Sequence, residues 1–157
     1  MAAIDAGSEA VEQCTITLLK HDVDDCYYEN IKLPKKARNL TIMTEGDEPT
    51  YIVSSNKLTL GGNLKLKNIA IMAPEKKTFD IDTKNYQLVL NDSGILARNI
   101  TGNIKNADNK LVLSASGFGK TLLIVNSING INTLDLDYGH VESKGTVNVG
   151  SLVGYGK

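Results

Sequence analysis

Residues Asn63 to Lys67 read NLKLK, and five other stretches repeat that pattern: Thr15 to Leu19 (TITLL), Asn39 to Met43 (NLTIM), Gln87 to Asn91 (QLVLN), Lys110 to Ser114 (KLVLS) and Thr133 to Asp137 (TLDLD). Each opens on a polar residue and then places two aliphatics two positions apart, the period-two signature of a strand with one buried face. The first aliphatics are Ile16, Leu40, Leu64, Leu88, Leu111 and Leu134, spaced 24, 24, 24, 23 and 23 residues. An internal period between 20 and 50 residues marks a chain that winds into a solenoid.

Further alternating runs lie between the pentapeptides, at Ile31 to Leu33, Leu58 to Leu60, Ile69 to Ile71, Phe79 to Ile81, Leu122 to Ile124 and Val147 to Val149. Each winding therefore holds two or three strands. Turn residues separate them: Gly46 to Pro49, Gly61 with Gly62, Asp92 to Gly94, Ala107 to Asn109, Gly117 to Gly119, and Asn129 with Gly130. Gly, Asn, Asp and Pro favour such breaks because they accept positive φ or form local side-chain turns. Residues one period apart stack about 4.8 Å from each other, so six windings span roughly 29 Å. Connections of this kind are right-handed. The expected fold is all-β, a right-handed parallel β-helix of about six coils. Residues 15–157 form the module and residues 1–14 an N-terminal cap, with Ser8 as a helix N-cap covering the first open core.

Leucine-rich repeats share the period but need L-x-x-L-x-L-x-x-N and a helical half per repeat. Here Leu60 and Leu64 are four apart, Asn68 follows Leu66 by two, and helix formers are absent from the intervals.

The 157 residues suit one domain, with 41% hydrophobic and 22% charged residues in an ordinary globular balance. No run approaches the roughly 18 apolar residues of a spanning helix, and the N-terminus MAAIDAGSEA lacks the pattern of a signal peptide. Net charge is -1 and the 17 basic residues are scattered apart from Lys35, Lys36 and Arg38 and the pair Lys76 and Lys77, which argues against a nucleic-acid footprint.

The runs TITLLKHDVDD from Thr15, NIKLPKKARNLTIMTEGDEPTY from Asn30 and LTLGGNLKLKNIAI from Leu58 resemble the β-helix modules of large secreted or surface-attached proteins of Gram-positive, often gut-dwelling, bacteria. The likeness is close over residues 10–75 and one of rhythm beyond. It implies a secreted or cell-surface setting and a role in adhesion or display, with host or cell-wall glycan or protein as partner. It carries no catalytic residues across, and no cofactor.

Candidate chemistry is sparse. Cys14 and Cys26 flank the first winding, compatible with a short disulfide or with two free thiols. A zinc site from Cys14, His21 and Cys26 lacks a fourth ligand and any known spacing. Gly117 to Thr121 (GFGKT) suggests a phosphate loop, but Ser114 stands where that motif needs glycine and no helix follows. Asp22, Asp24 and Asp25 form an acidic turn that lacks the Gly and distal Glu of an EF-hand, leaving weak calcium binding open. Polysaccharide lyases and hydrolases also use the β-helix and place carboxylates on adjacent coils. The expected column over Asp135 is Thr17, Thr41, Lys65, Val89 and Val112, and over Asp137 it is Leu19, Met43, Lys67, Asn91 and Ser114, so neither acid meets a second one. His21 and His140 stand far apart in the winding, without a nucleophile and acid to complete a triad. Three Asn-x-Ser/Thr sites, at Asn39, Asn91 and Asn99, carry little meaning in a bacterial protein. The six tyrosines are the aromatic residues suited to stacking on sugars, and most are expected to pack in turns.

A non-catalytic module for adhesion, display or spacing is therefore the first expectation. A fragment of a carbohydrate-active or glycan-binding protein is the second. Val149, Leu152 and Val153 continue the apolar pattern to the last residues, so further coils, a capping partner or end-to-end association is expected there.

Overall fold

The computed structural model describes residues 13–19, 26–28, 31 and 38–156. Of the expected cap over residues 1–14, residues 1–12 lie outside them, as do His21, Asp22, Asp24, Asp25, and Lys32 with Leu33. Among the described residues every regular element is a strand, and the strands pair in parallel into one continuous sheet that curls on itself. The chain is a parallel β-helix with three faces per coil.

Face A is the first strand of each coil. The first coil carries β1 (Cys14–Leu18) and, on face B, β2 (Tyr27–Tyr28). The second carries β3 (Asn39–Thr44), β4 (Thr50–Val53) and, on face C, β5 (Leu58–Thr59). The third repeats this as β6 (Asn63–Lys67), β7 (Ile69–Met72) and β8 (Asp80–Asp82). In the fourth, β9 (Leu88–Asn91) lies on face A, and β10 (Gly94–Thr101) runs round the corner to cover both B and C. The fifth begins with β11 (Lys110–Ser114). Then β12 (Leu122–Leu136) covers B and C and continues onto face A of the sixth coil. That coil adds β13 (His140–Ser143) and the start of β14 (Val147–Gly154), whose second half opens a seventh coil on face A.

Each face places at least one aliphatic column inside. On face A, Leu40, Leu64, Leu88, Leu111 and Leu134 stack in register. On face B, Ile52, Ile71, Ile95 and Leu123 do so, and on face C, Leu58, Ile81, Ile100 and Ile128. All are buried and belong to a single core. A parallel strand sandwiched between two like strands has both edges hydrogen-bonded, so only the side chains must be covered, and the two other faces cover them.

The first step differs from the sequence expectation. Ile16 lies over Ile42, while Cys14 lies over Leu40, so the first coil is 26 residues long and slips by one aliphatic pair. Two aliphatics two apart fit the core equally well in either register. The outer columns shift with it: Thr15, not Thr17, stands under Thr41, and Thr17, not Leu19, stands under Met43. Asn129 and Gly130 likewise do not interrupt a strand. They form the C-to-A corner inside β12, where Gly130 has φ of 81° and the pairing with β14 shifts register. A Cβ at Gly130 would meet the Gly102 carbonyl oxygen at 3.0 Å, so only glycine fits this corner without displacement.

The A-to-B corner has one recurring device. In each coil from the second to the sixth it holds a residue of positive φ, successively Gly46, Asn68, Asp92, Gly119 and Tyr138. Where the residue is polar, its side chain or its neighbour's replaces the sheet bonds lost at the bend. Asn68 donates through Nδ2 to the Thr44 and Gly46 carbonyls of the coil before, at 3.3 and 2.5 Å, and Ser93 Oγ accepts from the Ile69 amide at 3.1 Å. These groups are buried, and an unpaired buried amide or hydroxyl would cost about 1–3 kcal/mol.

Truncating the fully buried Leu66 to Ala is expected to cost about 3 kcal/mol. Leu96→Ala, on a half-exposed side chain of the same solenoid, is expected to stay within about 0.5 kcal/mol. Urea denaturation of the two variants against wild type checks the difference.

Candidate functional site

Three surface features contain the chemistry-bearing residues. The largest is a groove of about 770 Å³ along the C-to-A corner, lined by Arg38, Asn39, Asn63, Tyr86, Gln87 and Lys110 among others, with Asn85, Asn106 and Asp108 on its loop wall. Its floor is the polar residue that opens each face A strand. Asn39, Asn63, Gln87 and Lys110 stand one per coil, immediately before the stacked leucines. Asn63 Nδ2 donates to Asn39 Oδ1 at 2.9 Å, and Asn63 Oδ1 accepts the Gln87 amide at 2.9 Å. Under the wall, Asn109 is completely buried. Its Nδ2 donates to Thr83 Oγ1 at 2.8 Å and to the Tyr86 carbonyl at 2.7 Å, and its Oδ1 accepts from the Asn103 amide at 2.8 Å. One amide thus fixes the loops that carry Tyr86 and Asn106.

The second feature is an aromatic cleft of about 370 Å³ between Phe118, Leu122, Tyr138, His140 and Tyr155. Tyr138 and Tyr155 stack with ring centroids 6.4 Å apart, and Phe118 is 89% exposed. Most tyrosines are expected from the sequence to pack in turns, but Tyr28 and Tyr51 stand on β2 and β4, and Tyr28, Tyr51, Tyr86, Tyr138 and Tyr155 all present surface to solvent. Tyr138 holds φ of 64°, a strained backbone for a bulky residue. Beside the cleft, β14 leaves Val147, Leu152 and Val153 exposed although Leu152 continues the Leu134 column.

The third feature is a carboxylate pair on face C that the pentapeptides do not reveal. Asp80 and Asp82, two apart on β8, are each met by cations from other coils or turns. Arg98 grips Asp80 through both carboxylate oxygens, its Nε donating to Oδ1 at 3.1 Å and its Nη2 to Oδ2. The Asn99 amide adds a bond at 3.1 Å. Arg98 and these amides hold the Asp80 carboxyl below its ordinary value. Burial pushes the Asp82 carboxyl up, but Lys84 at 3.0 Å and Lys57 at 3.2 Å outweigh it, and the net shift is also downward.

The residues singled out from the sequence fall apart in space. Asp135 lies between Val112 and Val153. Asp137 Oδ2 accepts from Ser114 Oγ at 3.4 Å and meets no second acid in its column of Ser114, Asn91 and Lys67. Val89 and Val112 stack on face A as expected, half-buried. Gly117 to Thr121 is a turn leading to face B, with the Thr121 hydroxyl donating to the Ser114 carbonyl. Cys14 and Cys26 are both free thiols. His140 Nε2 lies 3.3 Å from Glu142 Oε1 on the outer face. Among the described residues no His, Cys, Asp and Glu cluster has the arrangement of a metal site, and no helix is long and apolar enough to cross a membrane.

Comparison with protein-family models, with curated proteins and with solved structures gives no match.

A carboxyl whose folded value is lowered stabilises the fold above its ordinary value of 3.8, and that contribution fades as pH falls through the folded value. Asp82→Asn is therefore expected to cost under about 1 kcal/mol near neutral pH, because both lysines are more than half exposed and solvent screens them. The gap between variant and wild type should close below pH 3.8, as denaturation midpoints across an acid series would record.

Proposed function

We propose that this chain is a non-catalytic β-helical module of a bacterial secreted or cell-surface protein, serving adhesion, display or spacing. The observation that carries the reading is the state of the outward carboxylates. Glycoside hydrolysis needs one acid with a raised pKa beside a second carboxylate. Asp80 and Asp82 are instead shifted down by cations that hold them ionised. In the adjacent coils Asp135 meets valines and Asp137 meets serine rather than another acid. Such surfaces suit holding a partner better than breaking a glycosidic bond.

The resemblance of residues 10–75 to surface-protein modules supports the extracellular setting and points to host or cell-wall glycan or protein as the partner. The exposed Val147, Leu152 and Val153 on β14 offer an abutting module or a second copy an apolar edge, in keeping with end-to-end association. A second reading, a glycan-binding or carbohydrate-active protein, draws support from the amide-lined groove beside Tyr86.

Incubation with pectins and glycosaminoglycans, followed by assay for reducing ends and unsaturated products, is expected to show no turnover by the protein. Glycan-array binding without turnover fits an adhesion module, and an inert protein in both assays fits a spacer. Turnover that vanishes in Asp137→Ala would overturn the proposal.

A further inference from the structure

The groove along the C-to-A corner is the surface feature whose geometry goes furthest towards a ligand class. We infer that it binds an uncharged linear oligosaccharide laid along the solenoid axis, an inference that rests on reading the chain as a binding module.

The floor supplies one polar group per coil, about 4.8 Å apart. In the lower coils these groups satisfy each other, since Asn63 bonds both to Asn39 and to the backbone of Gln87. At Gln87 the ladder stops. Among the described residues the Gln87 side-chain amide has no hydrogen-bond partner, and Lys110 above it has no ion pair. The upper floor therefore faces the groove with donors and an acceptor that the protein leaves unused, whereas a purely structural ladder would continue.

The wall is built ahead of any ligand. Tyr86 is 37% exposed at the groove, and its backbone is tied on both sides, its amide donating to the Thr83 carbonyl at 2.9 Å and its carbonyl accepting from buried Asn109. A ring carried on a backbone fixed in this way can stack on a sugar face without the entropy cost of ordering a loop. Amides match hydroxyls because each both donates and accepts. The lining sets Arg38 and Lys110 against Asp108, an excess of one cation, and Arg38 already has a partner within the protein, so recognition falls to the amides and the ring more than to charge. A volume of about 770 Å³ over four coils fits a short run of sugar rings. A smaller depression of about 300 Å³ shares Asn39, Asn63 and Gln87 and carries the floor onto face A.

Isothermal titration of the whole protein with cellohexaose and with chitohexaose tests this, with polygalacturonate as the anionic comparison. Binding of at least one neutral hexasaccharide is expected, little altered by salt because no net charge is neutralised. Tyr86→Ala and Gln87→Ala should each weaken it roughly tenfold. Lys120→Ala, on the turn before β12 and away from the groove, should leave it unchanged. Urea denaturation of each variant confirms that it is folded. No heat with either neutral hexasaccharide at millimolar concentration, or affinity untouched in folded Tyr86→Ala and Gln87→Ala, would overturn the groove assignment while leaving the adhesion reading standing. Salt-sensitive binding confined to polygalacturonate would overturn it as well. Released reducing ends, scored separately, would sink the non-catalytic reading and this inference with it.

Discussion

Everything in this molecule depends on aliphatic side chains standing over their own kind from coil to coil. A single coil of this chain has no core: its inward leucines and isoleucines are covered only by the two other faces and by the coils above and below. The parallel ladder makes that possible, because it saturates backbone donors and acceptors between coils and keeps like positions in line. The columns on faces A, B and C are the direct result, and each buries its members almost completely. The same repetition that builds the core necessarily builds columns outside it. Polar, amide and charged residues become aligned on the surface at the coil spacing, and a groove such as that beside Tyr86 arises without a dedicated fold element.

The corners are the second constraint. A flat sheet cannot close, so each coil must bend three times, and each bend removes backbone bonds that the next coil would otherwise supply. The chain answers with left-handed residues at the A-to-B corner and with buried Asn, Ser and Thr that reach into neighbouring coils. Asn109 shows how this structural solution shapes the surface. By bonding Thr83, Tyr86 and Asn103 together it closes a corner and, at the same time, fixes the wall of the groove. Face C solves its outward charges differently, pairing Asp80 with Arg98 and Asp82 with two lysines. Those pairs fall within or between coils and hold both carboxylates in the ionised form.

The winding was legible in the sequence because the face A leucines are local, regularly spaced and inward. Leu40 through Leu134 lie where the period puts them. Ile16 escapes it because Cys14 and Ile16 are both acceptable core residues, so a shift by two keeps a residue of that kind in the column. Asn129 with Gly130 carries the chemistry of a break yet sits within a continuous ladder, since a corner and a loop demand the same backbone freedom. The groove is harder to see. Its floor was written as the polar first letter of each pentapeptide, but its wall comes from loops of unequal length, so no period brings Tyr86, Asn106 and Lys110 together. The Asp80–Arg98 pair is hidden for a related reason: its members are 18 residues apart, because β10 turns its corner without a loop and shortens the path between them.

The central claim is the coil-on-coil register of face A. Inter-strand nuclear Overhauser effects on the labelled protein in solution measure it most directly. The account predicts Hα-to-amide contacts linking Leu64 with Leu88, Leu88 with Leu111, and Leu111 with Leu134, all between residues 23 or 24 apart. Contacts restricted to antiparallel neighbours joined by short hairpins, with none across that interval, would contradict it.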